Sequence, residues 1–479
     1  MTIRERLAQP PVMAAIAVVA FAVLRFAALT RYPLWTDETW TLEVGRGSLR
    51  TALMLHADDQ THPPLFYTLL WFWRRIGGDS LTWVRLLPCL AGIATAIPML
   101  AMARAARMTA RATWLSLLLG AGSGLLVAYS AELRNYSLLA LAGSASLALW
   151  LRARDSGTRR DFVALSIANM VLVNTHYFGV FVVMAEWCDA LGWVRRRLKA
   201  MTLSAAIAAL SLAPWIYETI RRAGITGNHL EVVSWIPYPH VGDLLDVARE
   251  TLGATPWPAF DIGAAAVACA AIAVWAVRAR HSNAAPGVRL LLLAAMLPVG
   301  VAFMASVIGP RPIWLVRYLI TVAPPFLLLL GGALDALIPT RLAPVAVALA
   351  FIPGVLTARS LVQGEAKPRF DTVVRTIAAH ESAPQIDLLL PGVVQALPVI
   401  YAIRREPTLS RRLHARSMAP GARPDVDSGW MVWSEVHPPG GLTPSATLVR
   451  QGFAIGPAFG FRSDADSLVA LRFVKQAPR

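Results

Sequence analysis

Asp37 and Glu38 are adjacent carboxylates in the stretch YPLWTDETWTLEVGRGSL, set among Tyr32, Trp35 and Trp40 just after a long apolar run. A carboxylate in partly desolvated surroundings is a stronger base than one in water, so this pair suits proton abstraction from a hydroxyl. The plainer reading is that Asp37 caps a short helix beginning at Glu38. Three arginines form a second set: Arg85 in TWVRLLP, Arg134 in YSAELRNYSLL and Arg317 in IWLVRYLITVAPP. A guanidinium is planar, always charged and donates two parallel hydrogen bonds, which is the chemistry of phosphate binding. The alternative for each is snorkelling to lipid headgroups. His62 in HPPL and His176-Tyr177 in NTHYFGVF add polar groups, and Tyr136 and Tyr318 follow Arg134 and Arg317 within two residues. Each histidine also admits a structural role: His62 shaping a turn before Pro63-Pro64, His176 as a lone hydrogen bonder. Asp58 and Asp59 read equally well as a solvated turn.

These residues need elements to hold them, and the composition says which kind. Of 479 residues, 56% are hydrophobic and only 15% charged, with a mean hydropathy of +0.52. A soluble domain carries about 25% charged residues, so a soluble enzyme, a disordered chain and a DNA-binding domain are all excluded. The apolar residues come in blocks of about 18–22, the length that crosses a hydrocarbon core of about 30 Å. The net charge of +16 falls largely in short joints between the blocks, where cytoplasmic loops collect arginine. It therefore implies no nucleic acid. Cys89, Cys188 and Cys269 lie in apolar stretches without a CxxC spacing and read as small core residues.

The joints at Arg104/Arg107/Arg111, Arg152/Arg154/Arg159/Arg160, Arg195–Arg197 and Arg278/Arg280/Arg289 are expected in the cytoplasm. The joints near Glu132–Tyr136, Asn174–Tyr177 and Arg311–Arg317 then lie outside. The block Pro64–Ile76 is short and rich in Trp and Tyr, so it reads as an interfacial helix rather than a crossing. The result is an all-α polytopic membrane protein with about eleven transmembrane helices. Residues 1–358 form the transmembrane catalytic domain, with 30–80 as its external first loop. Residues 359–479 are polar and Pro/Gly-rich. There Phe370–His380 reads as an amphipathic helix, and IDLLLP (386–391) and WMVW (430–433) as strands. An odd number of crossings from a cytoplasmic N-terminus makes this small α/β domain external.

A long first helix, a DE pair in the first external loop, HPPL and an Arg-Leu-Pro helix start together resemble the GT-C superfamily of membrane glycosyltransferases. The branch is that of protein O-mannosyltransferases and the lipid A aminoarabinose transferase. AYSAELRNYSLLAL, NTHYFG and VRYLITVAPPFLLLLGG are similar to the same branch, so the resemblance covers about 30 to 335 and leaves 359–479 unmatched. It implies an inverting hexosyl- or pentosyltransferase of the bacterial inner membrane and cell envelope, multi-pass, with its site facing the periplasm or exterior. The donor would be a sugar on a polyprenyl phosphate, and the acceptor a glycan, lipid or protein. Asp37 would be the catalytic base and Glu38 would position the acceptor. Arg85, Arg134 and Arg317 would hold the donor phosphate, and His62, Tyr136, His176, Tyr177 and Tyr318 would bind substrate. No cofactor is expected: arginines neutralise a departing phosphate without a metal, although Asp37 and phosphate leave room for a divalent ion. Two other classes compete. A transporter or flippase of a lipid-linked sugar predicts an internal repeat and ionisable groups at mid-membrane. An O-antigen ligase or polymerase predicts a different dominant external loop.

Overall fold

A computed structural model describes residues 10–29, 34–226, 236–363, 367–419, 421–434, 444–462 and 467–476. Tyr32 lies outside the described residues. The chain forms two compact units: residues 1–29 with 45–359, and residues 30–44 with 360–479. The expected first loop is thus divided between them at Val44.

The larger unit begins with α1 (Pro10–Ala28). The smaller unit takes up α2 (Thr36–Val44), after which the chain returns through α3 (Leu49–Asp59), α4 (Leu65–Gly77), α5 (Leu81–Ala94) and α6 (Ala96–Ala105). It continues as α7 (Ala110–Gly122), α8 (Gly124–Ser130), α9 (Tyr136–Ser156), α10 (Arg159–Thr175), α11 (Gly179–Trp193) and α12 (Leu198–Thr226). Then come α13 (Asp246–Leu252), α14 (Pro258–Ala279), α15 (Ala285–Ile308), a 3-10 turn over Val316–Val322, α16 (Ala323–Leu337) and α17 (Ala343–Gln363).

Every segment expected to cross is helical, but they do not all have the length of a span. Among the described residues, six helices are long and apolar enough to cross a membrane, or seven if α7 and α8, bent by 50° at their junction, cross as one. That criterion does not reach the expected count of about eleven: α10 and α11, at 17 and 15 residues, are too short to qualify. The chain is a multi-pass membrane protein on either count. Cys89 is buried as expected and Cys188 half-buried, but Cys269 is exposed on α14.

Polar residues set the helix boundaries. Ser80, Thr109, Ser123 and Thr158 each stand before a helix and accept a hydrogen bond from a backbone N–H of its first turn, satisfying donors that helix geometry leaves open. At the α4–α5 turn the Trp73 and Trp83 rings stack 4.4 Å apart. Each indole N–H donates to the other residue's carbonyl, at 2.7 and 2.8 Å. A Cβ on Gly77 would lie 2.0 Å from the Trp83 ring, so only glycine fits there.

One ionisable group is spent on packing. Arg25 is fully buried on α1 and donates to the carbonyls of Phe21, Gly120 and Ala121 and to Ser130 Oγ. It satisfies backbone oxygens where α7 ends, which is how a broken helix is tolerated inside a membrane.

In the smaller unit, α18 (Phe370–His380), β1 (Ile386–Pro391) and β3 (Ser428–Ser434) stand where the sequence placed a helix and two strands. Between and after them lie α19 (Val393–Arg404), α20 (Pro407–Ser410), β2 (Leu413–Met418), α21 (Pro444–Arg450), β4 (Phe453–Arg462) and β5 (Ser467–Lys475). The sheet order is β2-β1-β3-β5-β4. β1 runs parallel to β2 and β3, and β5 is antiparallel to β3 and β4. Side-chain alternation along the strands divides the core. Leu388, Leu390, Trp430 and Val432 meet Phe370, Val373 and Ile377 of α18 on one face. Leu389, Met431, Trp433 and Phe473 fill the other. α2 belongs to this unit and packs against α19.

Candidate active site

The ten candidate residues fall into both units. Asp37 and Glu38 lie in the smaller one, within the first turn of α2. The helix begins at Thr36, so Asp37 sits inside it and the capping reading is set aside. The positive end of the helix dipole favours both carboxylates there. Glu38 is fully buried and Asp37 half-buried. The C-terminal part of the chain reaches this helix directly: Lys367 Nζ lies 3.8 Å from the centre of the Trp35 ring, a cation–π contact next to the helix start.

The other eight belong to the larger unit, and the structure brings five of them together. His62 precedes α4. Its register is set by α3, whose Asp58 takes a two-pronged bond from Arg222 of α12 at 2.6 and 2.7 Å. Asp58 is therefore an anchor and not part of a solvated turn. Arg134 lies in the 131–135 turn between α8 and α9. Asn135 Nδ2 ties that turn to Thr175 O, at the end of α10, at 2.7 Å. One residue later His176 terminates α10 in extended backbone. The tie thus brings Arg134 and His176 to one place.

Arg134 Nη2 lies 2.9 Å from His62 Nε2. The His62 and His176 ring centres are 4.9 Å apart, as are those of His176 and Tyr318. Tyr136 stands 6.1 Å from each histidine and 6.2 Å from Tyr318. Tyr318 comes from the 3-10 turn that leads into α16, and the guanidinium of the neighbouring Arg317 lies 5.8 Å from its ring centre. Tyr177 points elsewhere: its hydroxyl accepts from Trp215 Nε1 at 3.2 Å. Arg85 is fully buried on α5, a helix that packs against α9. At 0% and 6% exposure, Arg85 and Arg134 are enclosed by protein, which rules out snorkelling for both. Arg317 is half-buried.

The electrostatics favour an anion. Burial, reinforced by Arg134 and then Arg317, lowers the His176 pKa to about 3. Burial and Arg134 do the same to His56, six residues before His62 in the chain, also to about 3. His62 is held well below the usual range by burial, Arg134 and His176. All three are neutral at pH 7 beside a charged guanidinium.

A neutral buried histidine also links stability to pH. Its folded pKa lies below the unfolded value, so its contribution is complete above about pH 6.5 and is lost as pH falls towards the folded value. His56 and His176 should each forfeit about 2 kcal/mol by pH 5. Melting temperature in detergent is expected to fall between pH 7 and pH 5, and His56→Phe should flatten that slope. An unchanged melting temperature over this range would contradict the burial of these rings.

Sequence reasoning named the members of this cluster but missed two residues that frame it. His56 packs on Tyr67 with ring centres 3.5 Å apart; the pattern of α3 marks it only as a polar residue in a short helix. Glu132 is buried in the Arg134 turn, and its place between Ala131 and Leu133 was the available signal.

The class defined by this arrangement is a membrane-embedded helical bundle with a GT-C-like fold, carrying a small mixed α/β unit. Among solved structures, the chain is similar to ArnT from Cupriavidus metallidurans. The apo form superimposes with a TM-score of 0.57 at 15% identity, over 95% of this chain and 96% of that one. The form bound to undecaprenyl phosphate gives 0.56 at 15% identity over the same shares. The S. cerevisiae protein O-mannosyltransferase Pmt1-Pmt2 complex bound to the sugar donor aligns at 18% identity over 54% of this chain and 38% of that one. Its TM-score of 0.33 is too low to compare sites. No family model matches the chain, and no curated protein matches it.

Proposed function

We propose that this protein is an inverting glycosyltransferase that moves a sugar from a polyprenyl-phosphate donor to an acceptor at the outer face of the membrane. One observation carries the reading: Arg134, His62, His176, Tyr136 and Tyr318 converge, buried, on one place in the bundle. That cluster offers charge and hydrogen-bond donors to an anion, within a fold shared with a protein that binds undecaprenyl phosphate.

Transfer by single displacement needs two things. A base must take the proton of the acceptor hydroxyl as oxygen attacks the anomeric carbon, and positive charge must receive the phosphate that leaves from the other side. Asp37 is the base, and Glu38 holds the acceptor beside it. Arg85, Arg134 and Arg317 neutralise the phosphate; His62, Tyr136, His176 and Tyr318 seat the donor. Arginines supply this charge without a metal. No carboxylate nucleophile is needed, unlike the close pair of a retaining glycosidase. Acceptors of glycan, lipid or protein type all offer the required hydroxyl or amine. Lipids extracted from the purified protein should contain polyprenyl phosphate or its sugar conjugate; extracts holding only bulk phospholipid would count against the reading.

An odd number of crossings from a cytoplasmic N-terminus in a bacterial inner membrane would put the cluster's turns and residues 359–479 outside. A reporter active only outside the cytoplasm, fused after Phe461, should be active. Activity of a cytoplasmic reporter alone at that position would overturn the topology.

A further inference from the structure

Hydrogen bonding sets the proton positions on both clustered histidines. A guanidinium has no acceptor, so Arg134 donates to His62 Nε2 and the single proton of neutral His62 sits on Nδ1. The Phe178 backbone N–H donates to His176 Nδ1 at 3.1 Å, so the proton of neutral His176 sits on Nε2. That Nε2–H is buried and meets no hydrogen-bond acceptor among the described residues, in a side chain only 1% exposed. Buried donors in native proteins are almost always satisfied, so an acceptor from outside the chain belongs there. The charges acting on His176 are those of Arg134 and Arg317, both positive. That acceptor is therefore anionic in preference to a hydroxyl.

We propose that His176 is a phosphate-binding residue, donating its Nε2–H to a phosphoryl oxygen of the lipid-linked donor while Phe178 N–H locks its tautomer. The inference rests on the polyprenyl-phosphate reading above and adds a ligand to it. His176 acts as a fixed neutral donor: it holds the phosphate before and after transfer, and no proton passes to the leaving group. The backbone bond from Phe178 matters because the other tautomer would present a lone pair to the anion and repel it.

Two substitutions separate this role from a purely structural one. His176→Gln places an amide donor near the Nε2 position and gives up the acceptor for Phe178 N–H. His176→Asn keeps an acceptor near Nδ1 and gives up the distal donor. The probe is farnesyl phosphate, titrated into the full-length protein in detergent at pH 7.5, with farnesol as the uncharged control and melting curves to verify folding. Asn is expected to weaken farnesyl phosphate binding about tenfold and Gln no more than about threefold, with farnesol affinity unchanged in both; tenfold is the loss of one hydrogen bond to a charged group. Retained binding by Asn together with loss by Gln would assign His176 to holding the 176–178 turn and overturn the proposal. Wild-type binding by both variants would overturn it as well. Absence of any preference of the wild-type protein for farnesyl phosphate over farnesol would instead remove the phosphate-donor reading itself, and this inference with it.

Discussion

Asp37→Asn is expected to lower single-turnover sugar transfer by about 10²–10⁴-fold, the span usual for loss of a positioned base, while leaving donor binding and melting temperature close to wild type. The amide matches the carboxylate in size and still accepts a hydrogen bond, but it cannot take up the acceptor's proton. The structure makes this substitution clean. Asp37 lies inside the first turn of α2 and not at its cap, so a capping bond is not lost. It is half-buried, so its replacement opens no cavity. The α2 helix packs on α19. Near-normal turnover by purified Asp37→Asn protein would refute the base assignment.

The second large effect is expected at Arg134 and Arg317. Arg→Lys keeps the charge and loses the paired donors, and Arg→Ala loses both. Donor use in single-turnover assays should fall in the order Arg, Lys, Ala, with Ala costing about 10²–10³-fold, comparable to removing one donor from a developing oxyanion. Arg317 gives the cleaner reading because it is half-buried. Arg134→Ala also strands His62 Nε2, whose partner it is, so that variant should lose stability as well as donor binding. A snorkelling arginine would tolerate Lys fully, and burial already excludes that behaviour for Arg134. Wild-type transfer by the Lys and Ala variants at both positions would remove the phosphate role.

Much of this architecture is legible in the residues. The apolar blocks mark every long helix, and the short apolar run 386–391 and the period of 370–380 place β1 and α18 to the residue. The helices that are not full spans are less legible, because a short buried helix and a crossing helix carry the same apolar composition. The bend between α7 and α8 follows from Ser123, whose Oγ bonds Thr251 O, 128 residues away, at 2.6 Å. Local sequence does not encode that partner. The grouping of 30–44 with 360–479 is equally long-range. At the site, residue types identified Arg134, His62 and His176 singly. Their meeting depends on the Asn135–Thr175 tie and the Asp58–Arg222 pair, two polar contacts that look like ordinary loop residues. Arg25 shows the opposite case: a charge inside a membrane helix that would be read as functional and is spent on four packing contacts.

The most direct test of glycosyl transfer is to incorporate the purified protein into vesicles with a panel of polyprenyl-phosphate sugars and a cell-envelope extract as acceptor, and to follow both products. One donor is expected to be consumed, with free polyprenyl phosphate and glycosylated acceptor appearing in equal amounts and the anomeric configuration inverted. Passage of an intact lipid-linked sugar across the bilayer without release of polyprenyl phosphate, or transfer with retained configuration, would contradict it.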